Sequence, residues 1–265
     1  MQNYEEGEIP LISENEAAKG AETPVNQPKT PKTFSRAYFK EAAKVFKDAR
    51  KLAFAAVICA LRVAVKSLSL QIAPGVYLSF DCYVNALGSL VYGPLMALCV
   101  GAVSDTIGGV MFPKGAYFFP FILVEMSSGF IFALFLWKKR LTAPRLLAAK
   151  FTVNFVCNIL LNSLIQKWYY ALFDADKVYY VVNGVRIVKN LVLFPLEATL
   201  ICILVNALLP GLKSLNYVDK GQRGIEFNKK EILLTAALAV FSVAIVLFYV
   251  FFLKDFVAAH NIKLF

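Results

Sequence analysis

The sequence predicts an all-α integral membrane protein, and three observations carry that prediction. Of 265 residues, 58% are hydrophobic and 14% aromatic, with a mean hydropathy of +0.60, well beyond the roughly half-apolar makeup of soluble domains. Apolar runs of about 17 to 25 residues, long enough to cross a hydrocarbon core as helices, recur along the chain. Lys and Arg gather in the gaps between those runs, so the formal charge of +10 reads as membrane topology and not as a nucleic-acid footprint. Lipid offers no partner to an open backbone, so the runs must be helical.

Taken in order, residues 1–34 are polar and contain Pro10, Pro24, Pro28 and Pro31, the makeup of a disordered cytoplasmic arm. Residues 35–51 are amphipathic. Phe39, Ala42, Ala43, Val45, Phe46 and Ala49 fall on one side and Arg36, Lys40, Lys44 and Lys47 elsewhere, which predicts an interfacial helix on the lipid of an anionic inner leaflet. A membrane domain over 52–210 follows, with spans at 52–72, 78–92, 95–111, 117–137, 146–173 and 185–209. Ala73-Pro74-Gly75, Gly93-Pro94 and Phe112-Pro113-Lys114-Gly115 separate the first four. Lys138, Lys139, Arg140 and Arg145 mark an inside loop, and Lys213, Lys220, Arg223, Lys229 and Lys230 mark a cytoplasmic loop at 211–231. Residues 232–265 form an extra transmembrane helix, 232–253, and a tail. The basic segments fall on one side of the membrane if the N-terminus is cytoplasmic.

Several chemistries are excluded or unsupported. The cysteines, Cys59, Cys82, Cys99, Cys157 and Cys202, are scattered singly with no C-x-x-C pair and read as small packing residues. The one histidine, His260, lies in the C-terminal tail, so a histidine-based metal centre or a Ser-His-Asp triad has no material. No enzyme, catalytic residue, metal site or cofactor is expected.

Ionisable residues inside spans are costly, roughly 2.5 to 3.5 kcal/mol each at a helix centre, and call for a partner, a cavity or a purpose. Here they are Arg62, Asp105, Glu125, Arg186, Lys189 and Glu197. Arg62, Asp105, Arg186 and Lys189, joined by Lys66, Lys114, Asn162 and Gln166, predict a cationic, amide-lined cavity opening outward. Asn154, Asn158, Asn162 and Gln166 repeat every fourth residue and share a helical face. The deeper pair suits interhelical hydrogen bonding or ligand contact, and the outer pair suits a ligand. Arg62 and Asp105 either pair with each other or face the ligand, and Glu125 and Glu197 pair locally or carry protons. Tyr117, Phe118 and Phe119 place flat rings beside Lys114. Small residues repeat at Ala53, Ala56, Ala60 and Ala64, suited to docking on another membrane subunit or to internal packing, and at Ala97, Gly101, Ser104 and Gly108, suited to internal packing.

Two stretches, YGPLMALCVGAVSDTIGGVMFPKGAYFFPFILVEMSSGFIFALF and RIVKNLVLFPLEATLICILVNALLP, resemble the folate-type substrate-binding S component of energy-coupling-factor (ECF) vitamin transporters. The resemblance covers 52–210. It implies a six-helix bundle, with the seventh segment and the N-terminal arm as additions. It also implies capture of a water-soluble vitamin, folate above others, and partnership with a transmembrane coupling subunit and two ATPase subunits. Ala56, Ala60 and Ala64 would dock the coupling subunit, and loops 72–79 and 112–118 would gate the pocket. A pterin ring and two carboxylates match the site: Arg62, Lys114, Arg186 and Lys189 suit the carboxylates, and Asn162, Gln166 and Tyr117 the pterin edge. Asp81 would set an acid near the pocket mouth. The chain has no G-x-x-x-x-G-K-[ST] loop, so the partners would supply ATP hydrolysis. The expected location is the bacterial cell membrane, with membrane lipid and no nucleic acid among the contacts. Two competing readings are a proton-coupled secondary transporter of a small anionic metabolite and a membrane-embedded lipid-modifying transferase.

Overall fold

The computed structural model describes residues 34–68, 70–73, 76–78, 80–112, 118–173 and 184–218, with Ile225 and five positions between 236 and 244. Helix α1, Arg36–Lys44, begins where the Ser35 hydroxyl accepts the Tyr38 N–H at 3.2 Å. A 3-10 turn, Val45–Lys47, ends it. Asp48 then leaves the helical region and caps α2, Ala49–Ser67, accepting the N–H groups of Arg50 and Lys51. The single amphipathic helix expected at 35–51 is therefore two elements, because Asp48 satisfies the first orphan donors of a new helix.

Helix α1 is held against the bundle by part of its surface. Tyr38 and Ala42 of α1, and Val45 in the turn after it, are buried in the protein core. The Tyr38 ring meets Trp137 edge-on at 5.0 Å, its hydroxyl donates to the Ala133 carbonyl, and Glu41 pairs with Lys138. Of the apolar residues on the expected face, Ala42 and Val45 are turned onto the bundle, Phe39 is half-buried, and Ala43, Phe46 and Ala49 are exposed.

The first span ends at Ser67, short of 72. It gives way to an antiparallel hairpin, β1 Leu70–Ala73 and β2 Val76–Leu78, with Leu70 opposite Leu78. Pro74 explains the change, since it disfavours the helical region for the residue before it. Helix α3, Asp81–Met111, holds the second and third expected spans and reverses at Gly93, with φ 77° and ψ −177°. The arms 81–92 and 94–111 lie side by side. A Cβ on Gly129 would stand 3.1 Å from both the Asn85 side chain and the Ala97 carbonyl, residues on opposite arms. A Cβ on Gly93 would stand 2.7 Å from the Trp137 ring, so both the backbone angle and the space require glycine.

A 3-10 turn, Phe119–Phe121, leads into α4, Ile122–Leu136. Gly101 lets α4 approach so closely that an added Cβ would be 2.9 Å from the Glu125 carbonyl oxygen. Ala97, Gly101, Ser104 and Gly108 are all buried, and the third-span repeat is internal packing. Helix α5, Ala143–Thr152, continues through a π-helical stretch, Val153–Leu161, into α6, Asn162–Phe173. Helix α7 is Gly184–Ser214. Four described helical stretches are long and apolar enough to cross a membrane: Asp81–Met111, Phe119–Leu136, Ala143–Phe173 and Leu193–Ser214. The five positions between 236 and 244 are helical, with Val240 and Phe241 exposed. The rest of the seventh segment and the 1–33 arm lie outside the described residues.

Gly93, Trp137, Lys138, Lys51 and Tyr217 meet at one end of the bundle, the basic end. The hairpin follows α2 at the opposite end.

Candidate functional site in the middle of the bundle

Ionic groups from three helices converge at one depth. Arg62 lies about 20 Å along α2 from Ala49, and Glu125 about 17 Å along α4 from Leu136, both starting from the basic end. Against a hydrocarbon core of about 30 Å, these are positions near the membrane middle. Arg62, fully buried, donates to both oxygens of Asp81 at 2.8 and 2.7 Å and to Glu125 at 2.5 Å. Lys66 lies one helical turn further along, 2.8 Å from Asp105 and 3.4 Å from Glu125. Glu125 thus bridges both cations. The lattice joins α2 to both arms of α3 and to α4, with two positive and three negative groups.

This corrects two expectations. Arg62 pairs with Asp81 and Glu125, not with Asp105, which belongs to Lys66. Asp81 is buried and held bidentately, so it does not stand free at a pocket mouth. Bidentate guanidinium–carboxylate geometry is the strongest arrangement available to such a pair. Among the described residues the Arg62 Nη1 has no hydrogen-bond partner.

More polar contacts extend the layer. Lys150, buried on α5, reaches Glu197 on α7 at 2.9 Å, so Glu197 pairs locally. Asn85 donates to Ser128 at 3.0 Å, and Ser89 to the Gly129 carbonyl at 3.1 Å. Asn158 donates to the side-chain oxygens of Asn154 at 3.1 Å and Asn190 at 3.2 Å, and Asn154 donates to the Asn190 backbone at 3.4 Å. The deeper asparagines therefore join the π-helical stretch to α7. That stretch closes with the Asn162 N–H on the Cys157 carbonyl, five residues back, a wide turn that recurs at functional sites. Asn162 and Gln166, one and two turns beyond, are half-buried.

Beyond the polar layer, rings collect. Phe118 meets Trp168, Tyr169 and Phe173 edge-on at 5.3, 5.8 and 6.0 Å, and Phe121 lies 6.2 Å from Tyr169. The sequence singled out Phe118 but missed Trp168, Tyr169 and Phe173. Their signal was the WYYALF run closing the fifth span. Lys114 and Tyr117 lie outside the described residues. Arg186 and Lys189 occupy the first turns of α7, and their side chains also lie outside the described part.

On the outer surface of the bundle, Ala56, Ala60 and Ala64 are exposed along α2 and line an apolar groove of about 770 Å³ with Met96, Val103 and Ile107 of the second α3 arm.

Comparison with known proteins agrees with this architecture. The family described as ECF-type riboflavin transporter, S component, matches residues 47–193. A folate transporter FolT of Clostridium novyi (strain NT) is 34% identical over 140 residues, 52% of this chain and 77% of that one. A second FolT, from Leuconostoc mesenteroides subsp. mesenteroides, is 28% identical over 161 residues, 60% of this chain and 86% of that one. The crystal structure of FolT bound with folic acid superposes with a TM-score of 0.50 at 26% identity, over 57% of this chain and 88% of that one. A six-helix membrane bundle, a buried ionic layer and a family match over more than half the chain lead to one conclusion: the protein belongs to the S-component family of ECF-type vitamin transporters.

Proposed function

We propose that this protein captures folate at the outer membrane face as the S component of an ATP-driven ECF uptake transporter. The observation that carries the vitamin's identity is that both relatives above are named folate transporters and match along most of their own length. In this reading the N-terminus and the basic end face the cytoplasm of a bacterial cell, in keeping with the positive-inside rule. The hairpin end faces out.

Folate offers a flat pterin, with amide-like edges, and a glutamate tail with two carboxylates. Asn162 and Gln166 supply amides to the pterin edge, Tyr117 and the Phe118 ring cluster supply faces for stacking, and Lys114, Arg186 and Lys189 take the carboxylates. Arg62 and Asp105, committed to carboxylate and ammonium partners, form the floor and position the helices around the pocket. The groove along Ala56, Ala60 and Ala64 receives the transmembrane coupling subunit, to which two ATPase subunits contribute the energy.

Calorimetric titration of the purified protein with folate tests this reading, with riboflavin in parallel because the matched family carries that vitamin's name. Sub-micromolar folate binding, weakened at least about tenfold in Arg186→Ala by loss of a charge-assisted contact, is the expected result. Tight riboflavin binding without folate binding overturns the choice of vitamin. Uptake that persists without ATPase partners and follows the proton gradient overturns the transporter class.

A further inference from the structure

We propose that α1 is a clamp for the headgroups of anionic phospholipid, added at the basic end of the bundle. Helix α1 ends at Lys44, ahead of the family match that begins at 47, so the six-helix S-component pattern does not account for it. Successive residues of a helix advance about 100°, which puts Arg36, Lys40 and Lys44 within an arc of about 80° centred opposite Tyr38 and Ala42. Tyr38 and Ala42 are the buried residues of α1, and the three cations are exposed, as is Lys47 in the turn that follows. The protein therefore holds the helix by one face and presents a row of cations on the other.

Charge complementarity selects the partner. The one acid between residues 34 and 47 is Glu41, and Lys138 already engages it. The neighbouring element adds further positive charge, since Lys139 stands over the Tyr38 ring. The ligand must be anionic. Depth and aromatic content point to lipid over a soluble acidic protein. Phe39 stacks on Phe130 at 6.5 Å and 10°, about 9 Å along α4 from its end at Leu136, so α1 lies beside the bundle at the membrane boundary and not beneath it. Phe34 and Phe46, at its two ends, are 68% and 42% exposed. Cations flanked by exposed rings at that depth match the phosphate and acyl boundary of a leaflet.

The test is native mass spectrometry of the full chain, released from micelles containing equal amounts of phosphatidylglycerol and phosphatidylcholine with matched acyl chains. Wild type is expected to retain phosphatidylglycerol preferentially. The variant R36Q/K40Q/K44Q/K47Q is expected to lose that preference by about tenfold or more, given the contribution of each basic residue at an anionic surface. The charge-preserving R36K/K40R/K44R/K47R keeps it, and folate titration is unchanged in both. Equal retention of the two lipids by wild type, or full retention of the preference by the glutamine variant, overturns the proposal. Undiminished lipid preference combined with failure to assemble with the coupling partner would assign the row to a protein surface and overturn it equally.

Discussion

Replacing Arg62 with methionine probes the centre of the lattice. Methionine keeps most of the side-chain length but removes three charge-assisted hydrogen bonds, two to Asp81 and one to Glu125. It leaves Asp81 buried without the guanidinium and shifts the five-group lattice one further charge to the negative. Removing one member of a buried ion pair costs about 3 to 5 kcal/mol, chiefly because the remaining charge stays desolvated. Arg62 ties α2 to α3 and α4, so the loss falls on the whole bundle and not on one loop. Adding Asp81→Asn in the same molecule restores the charge balance and returns about 2 kcal/mol or more, measured as the coupling term of a double-mutant cycle. Unfolding by SDS in mixed micelles reads this directly. Trp137 is buried and Trp168 is 55% exposed, so a Trp168→Phe background leaves one tryptophan, reporting the core. A loss under about 1 kcal/mol in Arg62→Met, or a double variant no more stable than the single, would show that the lattice is not the structural lock described here.

Other perturbations separate the remaining roles. Gly93→Ala is expected to lose about 2 kcal/mol or more, because φ of 77° with an extended ψ is open essentially to glycine alone and the new Cβ meets Trp137; a shifted Trp137 emission with reduced SDS resistance checks it. Asn158→Leu strips one hydrogen bond to Asn190 on α7 and one to Asn154 on its own helix and lowers stability by about 1 to 3 kcal/mol with little change in folate affinity, whereas Asn162→Leu does the reverse, as parallel unfolding and titration will show. Ala60→Trp fills the α2 groove and abolishes co-purification with the coupling subunit while folate binding persists. Burial pushes the Tyr38 hydroxyl up to about 12, above its ordinary value near 10. The folded state then holds this proton more tightly than the unfolded state, so α1 packing is fully present below pH 10 and weakens as pH rises toward 12. Tyr38→Phe removes that alkaline transition in Trp137 fluorescence.

The spans were legible wherever apolar length and a turn signal coincided. Gly93-Pro94 signals a reversal and the chain reverses there, and the 146–173 run is a continuous helical path from Ala143 to Phe173. Boundaries went wrong where a single polar residue decides the local geometry. Asp48 reads as one charge on an amphipathic face, yet its carboxylate is placed to start a new helix. Residues 68–72 continue the apolar run in composition, but Pro74 and the pairing of Leu70 with Leu78 put 70–72 into a hairpin strand. Arg62, Asp105, Glu125 and Glu197 stand out individually in the sequence, whereas Lys150, the buried partner of Glu197 inside the fifth span, was missed. The pairing of the charges left no signal, because it depends on the register between helices: Lys66 sits one turn beyond Arg62, and that turn decides which carboxylate each cation meets. The π-helical stretch left no signal either, since Val153–Leu161 has ordinary helical periodicity.

The short first arm of α3 links the ionic lattice to ligand capture. From Gly93 to Asp81 it climbs only about 18 Å, a little over half of the roughly 30 Å core, so its N-terminus opens at mid-depth, where the first N–H groups of a helix have no carbonyl partner within the helix. Lipid cannot satisfy such an end, and non-helical backbone at that depth is tolerated only inside protein or along a polar cavity. Asp81 sits in the first turn, where a carboxylate is favoured by the helix dipole, and Arg62 neutralises it from the neighbouring helix. The lattice is therefore the condition for ending a helix halfway through a membrane. In the folate-capture proposal the ligand sits above that end, toward the amides of α6 and the rings around Phe118. Removing the Arg62–Asp81 pair without unfolding the bundle, as in Arg62→Met with Asp81→Asn, should leave folate bound but weaken it by severalfold. Unchanged affinity in that double variant would detach the floor from the pocket and leave the lattice a purely structural device.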